Sequence, residues 1–138
     1  MKKSSDKSSS PLHHLISRCI KDKFEACIFI KCSRGGSCSM ADGCFYNEDA
    51  DSIQKIFTQN FLEHYTKSKA PFPLFFHAAW FFNRPHRKDG FLKFIDSILA
   101  LPDVYFVTSQ ELIAWTRYPE PLPNVRSSKY LNNTFRIL

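Results

Sequence analysis

The sequence predicts an α/β unit with parallel strands, and three observations carry that prediction. The first is the run Pro71-Phe72-Pro73-Leu74-Phe75-Phe76-His77-Ala78-Ala79-Trp80-Phe81. Two prolines cannot donate to a sheet ladder and belong at a strand's entry. The uninterrupted apolar residues Leu74 to Phe76 suit a strand buried on both faces. The second is the pair of periodic stretches flanking this run: Ile53, Ile56, Phe57, Phe61 and Tyr65 before it, then Phe91, Phe94, Ile95, Ile98 and Leu99 after it. Steps of three and four residues place each set on one helix face. The third is Val104 to Val107, a short β-branched and aromatic stretch, followed by Thr108-x-x-Glu111. That spacing is a capping box, which opens a third helix through Trp115. The resulting order, helix–strand–helix–strand–helix, is that of an α/β unit. Two strands do not complete a sheet, so the unit is expected to be incomplete.

The remaining elements follow in chain order. Residues 1–12 are rich in Ser and Lys and poor in apolar side chains, which predicts disorder. Residues 12–31 have room for a short helix around Leu15, Ile16, Cys19 and Ile20 and a short strand over residues 26–30. Residues 33–43 read as a loop with Gly35-Gly36 as its turn signal. Asn47 or Asp49 caps the first long helix, expected to reach about Lys67. Asn83-Arg84-Pro85-His86 reads as a loop, and the next helix starts at Arg87 or Lys88 and runs to Leu101. Gly90 in its first turn costs that helix stability. Pro102-Asp103 stops it, and Pro119, Pro121 and Pro123 end regular structure. Three segments result: residues 1–31 as a largely disordered basic segment, 32–125 as the folded part, and 126–138 as a tail.

Composition narrows the function classes. With 138 residues, 43% hydrophobic and 14 of them Phe, the chain holds enough apolar surface for one moderate core. No apolar run approaches the roughly 20 residues of a membrane span, and the basic opening Met1-Lys2-Lys3 has no apolar stretch behind it to make a signal peptide. The formal net charge is +6, and residues 1–31 carry seven Lys/Arg against three Asp/Glu. A basic tail of this kind attracts nucleic acid or acidic membranes nonspecifically; a solvated tail is the plainer reading. An unrelated basic domain binding nucleic acid finds no RNP-type strand, helix-turn-helix or zinc pair in its support. Cys19, Cys27, Cys32, Cys38 and Cys44 contain no C-x-x-C pair, against a zinc finger or thioredoxin motif. Asn132-Asn133-Thr134 is an N-glycosylation sequon, with Asn132 the acceptor.

The motif Phe75-Phe76-His77-Ala78-Ala79-Trp80-Phe81 resembles the last motif of the chitin-deacetylase-like branch of the polysaccharide deacetylase (NodB homology) family. Further blocks agree in order and spacing. They are Cys38-Ser39-Met40-Ala41-Asp42-Gly43-Cys44-Phe45, Asn60-Phe61-Leu62-Glu63-His64-Tyr65, Gly90 to Asp96, Asp103 to Thr108, Trp115-Thr116-Arg117 and Pro119 to Leu122. The resemblance covers about residues 38–122 and the C-terminal end of such a domain. It implies a portion of a distorted (β/α) barrel, an extracellular setting, and disulfides involving Cys38 and Cys44, which could pair with each other; the connectivity stays open.

What the resemblance implies chemically is removal of acetyl groups from N-acetylglucosamine polymers such as chitin by a metal-activated water. Carried over, His77 is the general acid, a role suited to an unperturbed pKa of about 6.5. Phe75 lines the pocket for the acetyl methyl. Trp80 either stacks on a sugar face or packs in the core. The family's divalent metal, zinc or cobalt, needs an Asp and two His in His-x-x-x-His spacing, and its base needs Asp-Asp. Neither pattern occurs in this sequence, nor does an assignable motif to orient the His77 ring. The expectation is therefore a deacetylase-like polypeptide without cofactor of its own and inactive as this chain. The second reading is a non-catalytic remnant binding carbohydrate or a partner, with no specific nucleic acid or membrane partner in either case.

Overall fold

In the computed structural model of the chain, residues 30–129 are described. The predicted disorder and strand of the N-terminal segment (Ile30 apart), the tail beyond 129, Cys19, Cys27 and Asn132 lie outside them. The chain groups into two compact units, divided between Phe94 and Ile95.

The first unit opens with a hairpin. Strand β1 (Ile30–Lys31) pairs antiparallel with β2 (Ser37–Cys38), Ile30 opposite Cys38 and Lys31 opposite Ser37. Its turn is closed by Cys32 N donating to Gly36 O at 3.1 Å and Gly35 N to Cys32 O at 3.1 Å. Gly35 and Gly36 have φ of 88° and 78°, left-handed backbone that glycine adopts without a Cβ clash. A 3₁₀ turn, Ala41–Cys44, follows. A disulfide between Cys32 and Cys44 ties that turn back to the hairpin.

Helix α1 (Ala50–Glu63) starts at Asp49, whose carboxylate accepts from Ser52 N at 2.8 Å, one of the two caps expected. Ile53, Ile56, Phe57 and Phe61 are buried as the periodicity predicts. Asn60 joins them on that stripe: its side-chain amide accepts from Lys31 N at 2.7 Å and donates to Lys31 O at 3.0 Å. One asparagine thus takes the place of a neighbouring strand for β1. The helix widens into a π turn over His64–Ser68 and stops at Lys69, which has φ of 54° and donates to His64 O at 2.6 Å.

Residues 70–77 correct the central strand. They belong to no sheet. Pro71 and Pro73 supply no donors, and the backbone bond that ties the segment to a distant part of the chain runs from Ala41 N to Phe75 O, 2.8 Å. Nor is it buried on both faces. Phe72 and Phe76 turn inward onto aromatic rings, while Phe75 and His77 are exposed, the period-two alternation of extended backbone. A 3₁₀ turn, Ala78–Phe81, follows. Residues 104–107 are likewise unpaired. Among the described residues the sheet is the antiparallel β1–β2 pair alone. Over these residues the architecture is mixed helical with a small two-stranded sheet, compatible with an α/β fragment.

Helix α2 (Pro85–Leu99) begins two residues earlier than the sequence suggests. Pro85 occupies its first position, where the missing N–H is no loss. In the second unit, helix α3 (Ser109–Arg117) carries the full capping box expected: Glu111 N donates to Thr108 Oγ1 at 3.2 Å and Thr108 N to Glu111 Oε2 at 2.7 Å. The prolines beyond it open a further 3₁₀ stretch, Leu122–Ser127, rather than ending regular structure.

Gly90 has a reason that helix propensity hides. A Cβ at this position would lie 2.5 Å from Ala50 O and 2.9 Å from Ile53 Cβ, so α1 and α2 approach there to backbone contact. Gly90→Ala should destabilise the fold by about 1–3 kcal/mol, as overpacking does, even though alanine favours a helix by about 1 kcal/mol over glycine. Urea unfolding of the variant checks the sign.

Candidate functional site

His77 stands at the end of the extended segment, with φ −83° and ψ 132°, as the residue leading into the Ala78–Phe81 turn. Its side chain is 69% exposed, and its Nδ1 lies 2.7 Å from Asp42 Oδ2. Asp42 comes from the Ala41–Cys44 turn and is only 13% exposed. Two further hydrogen bonds join their segments: Ala41 N donates to Phe75 O at 2.8 Å, and His77 N to Asp42 Oδ2 at 3.4 Å. The other carboxylate oxygen, Asp42 Oδ1, is buried without a hydrogen-bond partner among the described residues.

This arrangement sets the tautomer of the ring. A carboxylate at Nδ1 favours the proton there, which leaves Nε2 to face outward. A histidine held this way can accept or deliver a proton at Nε2. Asp42 is the residue that sequence reasoning missed: no holder for the ring is assigned in the sequence, and Asp42 is the carboxylate that the structure brings to Nδ1. The only local signal was its place in Ala41-Asp42-Gly43-Cys44, the second of the resembling blocks.

The other expected site residues separate. Phe75 is 45% exposed and, two positions from His77 on extended backbone, faces the same side. Trp80 does not share that surface. It is 5% exposed, packed against Phe45 at 5.2 Å and Phe76 at 5.5 Å between ring centroids, with the Arg87 guanidinium 5.4 Å from its ring centre. Arg87 also donates to Trp80 O at 3.0 Å and Tyr46 O at 3.2 Å. Core packing is thus the role its surroundings supply, because the residues that would bare its face are bonded over it. Of the two expected disulfide cysteines, Cys44 is bonded to Cys32, and Cys38 remains a thiol. The Cys38–Cys44 pairing does not form because Cys32, at the hairpin, takes Cys44. His86 lies in the first turn of α2 rather than in a loop.

Among the described residues, no Asp and two His come together as a metal site. Among the described residues, the group of potential ligands with atoms close enough for a metal is Cys32, Cys38 and Cys44, two of them covalently joined. That donor set does not fit the zinc or cobalt centre the resemblance implies, and no step through a metal is derived for this chain.

The chain is similar to two chitin deacetylases of Bombyx mori. It is 37% identical to chitin deacetylase 1 over 91 residues, which is 65% of this chain and 17% of that protein. It is 37% identical to chitin deacetylase 8 over 95 residues, 67% of this chain and 25% of that protein. The chain thus spans a quarter or less of the length of these relatives. No protein-family model matches it. Among the described residues no helix is long and apolar enough to cross a membrane.

His64 is the other histidine the fold constrains. It is buried, its ring packs edge-on to Phe72 at 5.2 Å, and burial holds its pKa below the ordinary histidine value. Protonation then favours the unfolded chain. Stability should be fully present above about pH 6.5, the unfolded value, and should fall as pH drops from there through the folded value. Thermal melts between neutral and mildly acid pH should show this decline, and His64→Gln should flatten it.

Proposed function

We propose that the chain is part of a chitin-deacetylase-like hydrolase, in which Asp42 and His77 form the proton-transfer half of a site acting on N-acetylglucosamine polymers. The observation that carries this reading is the 2.7 Å contact between an exposed histidine and a largely buried aspartate, in a chain similar over about two thirds of its length to chitin deacetylases. In the proposed role His77 delivers a proton from Nε2 to the leaving amine. Asp42 holds the ring at Nδ1 and fixes its tautomer. Phe75, on the same side, offers an apolar surface beside the ring. The process served is carbohydrate metabolism outside the cell, where a disulfide such as Cys32–Cys44 persists.

Amide cleavage needs an activated nucleophile as well as a proton donor. The described residues bring no base or metal set to His77, so the chain by itself should not turn substrate over. Purified protein incubated with chitin oligomers and zinc or cobalt should release no acetate above a heat-inactivated control. A second reading, a non-catalytic carbohydrate-binding or partner-binding remnant, is favoured by the exposure of Phe75 and Phe82, 45% and 71%. Those rings leave a surface on which a sugar face can lie.

The two readings part when the chain is joined to a chitin deacetylase's metal-binding half. For a proton donor, His77→Ala should lower kcat and kcat/KM together by roughly 10²–10⁴-fold, and Asp42→Asn should act in the same direction. Phe75→Ala should mainly raise KM. Unchanged turnover per folded molecule in His77→Ala would remove the catalytic assignment and leave the binding reading.

A further inference from the structure

The three cysteine sulfurs of the hairpin and its following turn lie within 4.8 Å of one another. Cys32 and Cys44 are bonded, and the thiol of Cys38 sits 3.5 Å from Cys32 Sγ. Cys38 is half-buried at the end of β2, whereas Cys44 is fully buried, its Sγ 3.2 Å from Ile30 O. Gly43 lies directly against the free thiol: a Cβ there would come within 3.3 Å of Cys38 Sγ. The thiol is therefore packed onto the turn that carries Asp42.

We propose that these three cysteines form an internal thiol–disulfide exchange site that sets the position of Asp42 relative to His77. The Cys38 thiolate attacks Cys32 Sγ; a Cys32–Cys38 bond forms, the Cys32–Cys44 bond breaks, and the electron pair leaves on Cys44 Sγ. Cys44 takes up a proton in place of the one Cys38 lost, so no oxidant or reductant is consumed. The released thiol has an acceptor already in place, the carbonyl of Ile30. In the starting state the disulfide spans 12 positions and anchors the C-terminal end of the Asp42 turn. In the exchanged state the bond stays within the hairpin, and the turn is held to the His77 segment mainly by the Ala41 N–Phe75 O bond. The Asp42–His77 contact is then weakened at one of its two supports.

The site is tested on the full chain, purified without reductant, held at about pH 8.5 where ordinary thiols ionise, acidified, and trapped with excess N-ethylmaleimide before peptide mapping. Exchange predicts label on both Cys38 and Cys44, in the wild type and equally in a Cys19→Ser/Cys27→Ser background. Label on Cys38 alone would overturn the proposal, as would label on Cys44 that persists in Cys38→Ser. The coupling is read from the imidazole ¹⁵N shifts of His77. Cys38→Ser should keep the Nδ1–H signature, and Cys44→Ala should weaken it. If Cys44→Ala does not fold, wild-type protein trapped before and after equilibration gives the same comparison. His77 spectra identical in the two bonding states would overturn the link to Asp42.

Discussion

The first unit is built around one ring. Phe57 is fully buried, and four other phenylalanines close on it: Phe45 at 4.8 Å, Phe94 at 5.2 Å, and Phe76 and Phe91 at 5.8 Å each between centroids. They come from four places in the chain: the residue after the Ala41–Cys44 turn, the extended segment, and two positions on α2. A buried phenylalanine contributes about 1.5–3 kcal/mol through its area alone, and tilted or edge-on pairs add about 0.5–1.5 kcal/mol each. The cluster can therefore hold an extended segment that no sheet supports.

That constraint reaches the surface through simple geometry. Phe72 packs edge-on against Phe61 and Phe94, and Phe76 against Phe91. With these two rings drawn inward, Phe75 and His77 must point outward. The same anchoring leaves the carbonyl of Phe75 facing Ala41 N, and Asp42 follows at hydrogen-bonding distance from the imidazole. The His77–Asp42 contact is thus a by-product of aromatic packing on one side and a disulfide-tethered turn on the other. Gly90 belongs to the same logic: without a side chain there, α2 comes close enough to α1 for Phe91 and Phe94 to reach Phe57.

The similarity to two silkworm chitin deacetylases and the geometry address different questions. The similarity spans most of the described residues but a quarter or less of either relative. The geometry supplies a close histidine–aspartate contact, and among the described residues no Asp and two His gather beside it. Both are consistent with a piece of a larger catalytic surface, which is why the proposed chemistry is confined to the groups that His77 and Asp42 can serve.

Much of the local structure was legible in the residues themselves. The Thr108–Glu111 capping box, the Asp49 cap, the buried stripe of α1 and the Gly35-Gly36 turn depend on neighbours within a few positions, and each appears as read. The run from Leu74 to Phe76 misled because three consecutive apolar residues look alike whether sheets or helices cover them. Its partners are rings from distant helices, and its prolines leave it unfit for a ladder. Trp80 was ambiguous for the same reason: a tryptophan beside a histidine reads equally as a platform or as core until Arg87 is seen across its face. Asp42 and the choice of Cys32 over Cys38 as the partner of Cys44 were decided by tertiary structure alone. Both turn on the meeting of atoms far apart in the chain, 35 positions for Asp42 and His77 and 12 for the disulfide. Periodicity and capping patterns carry no information at that range.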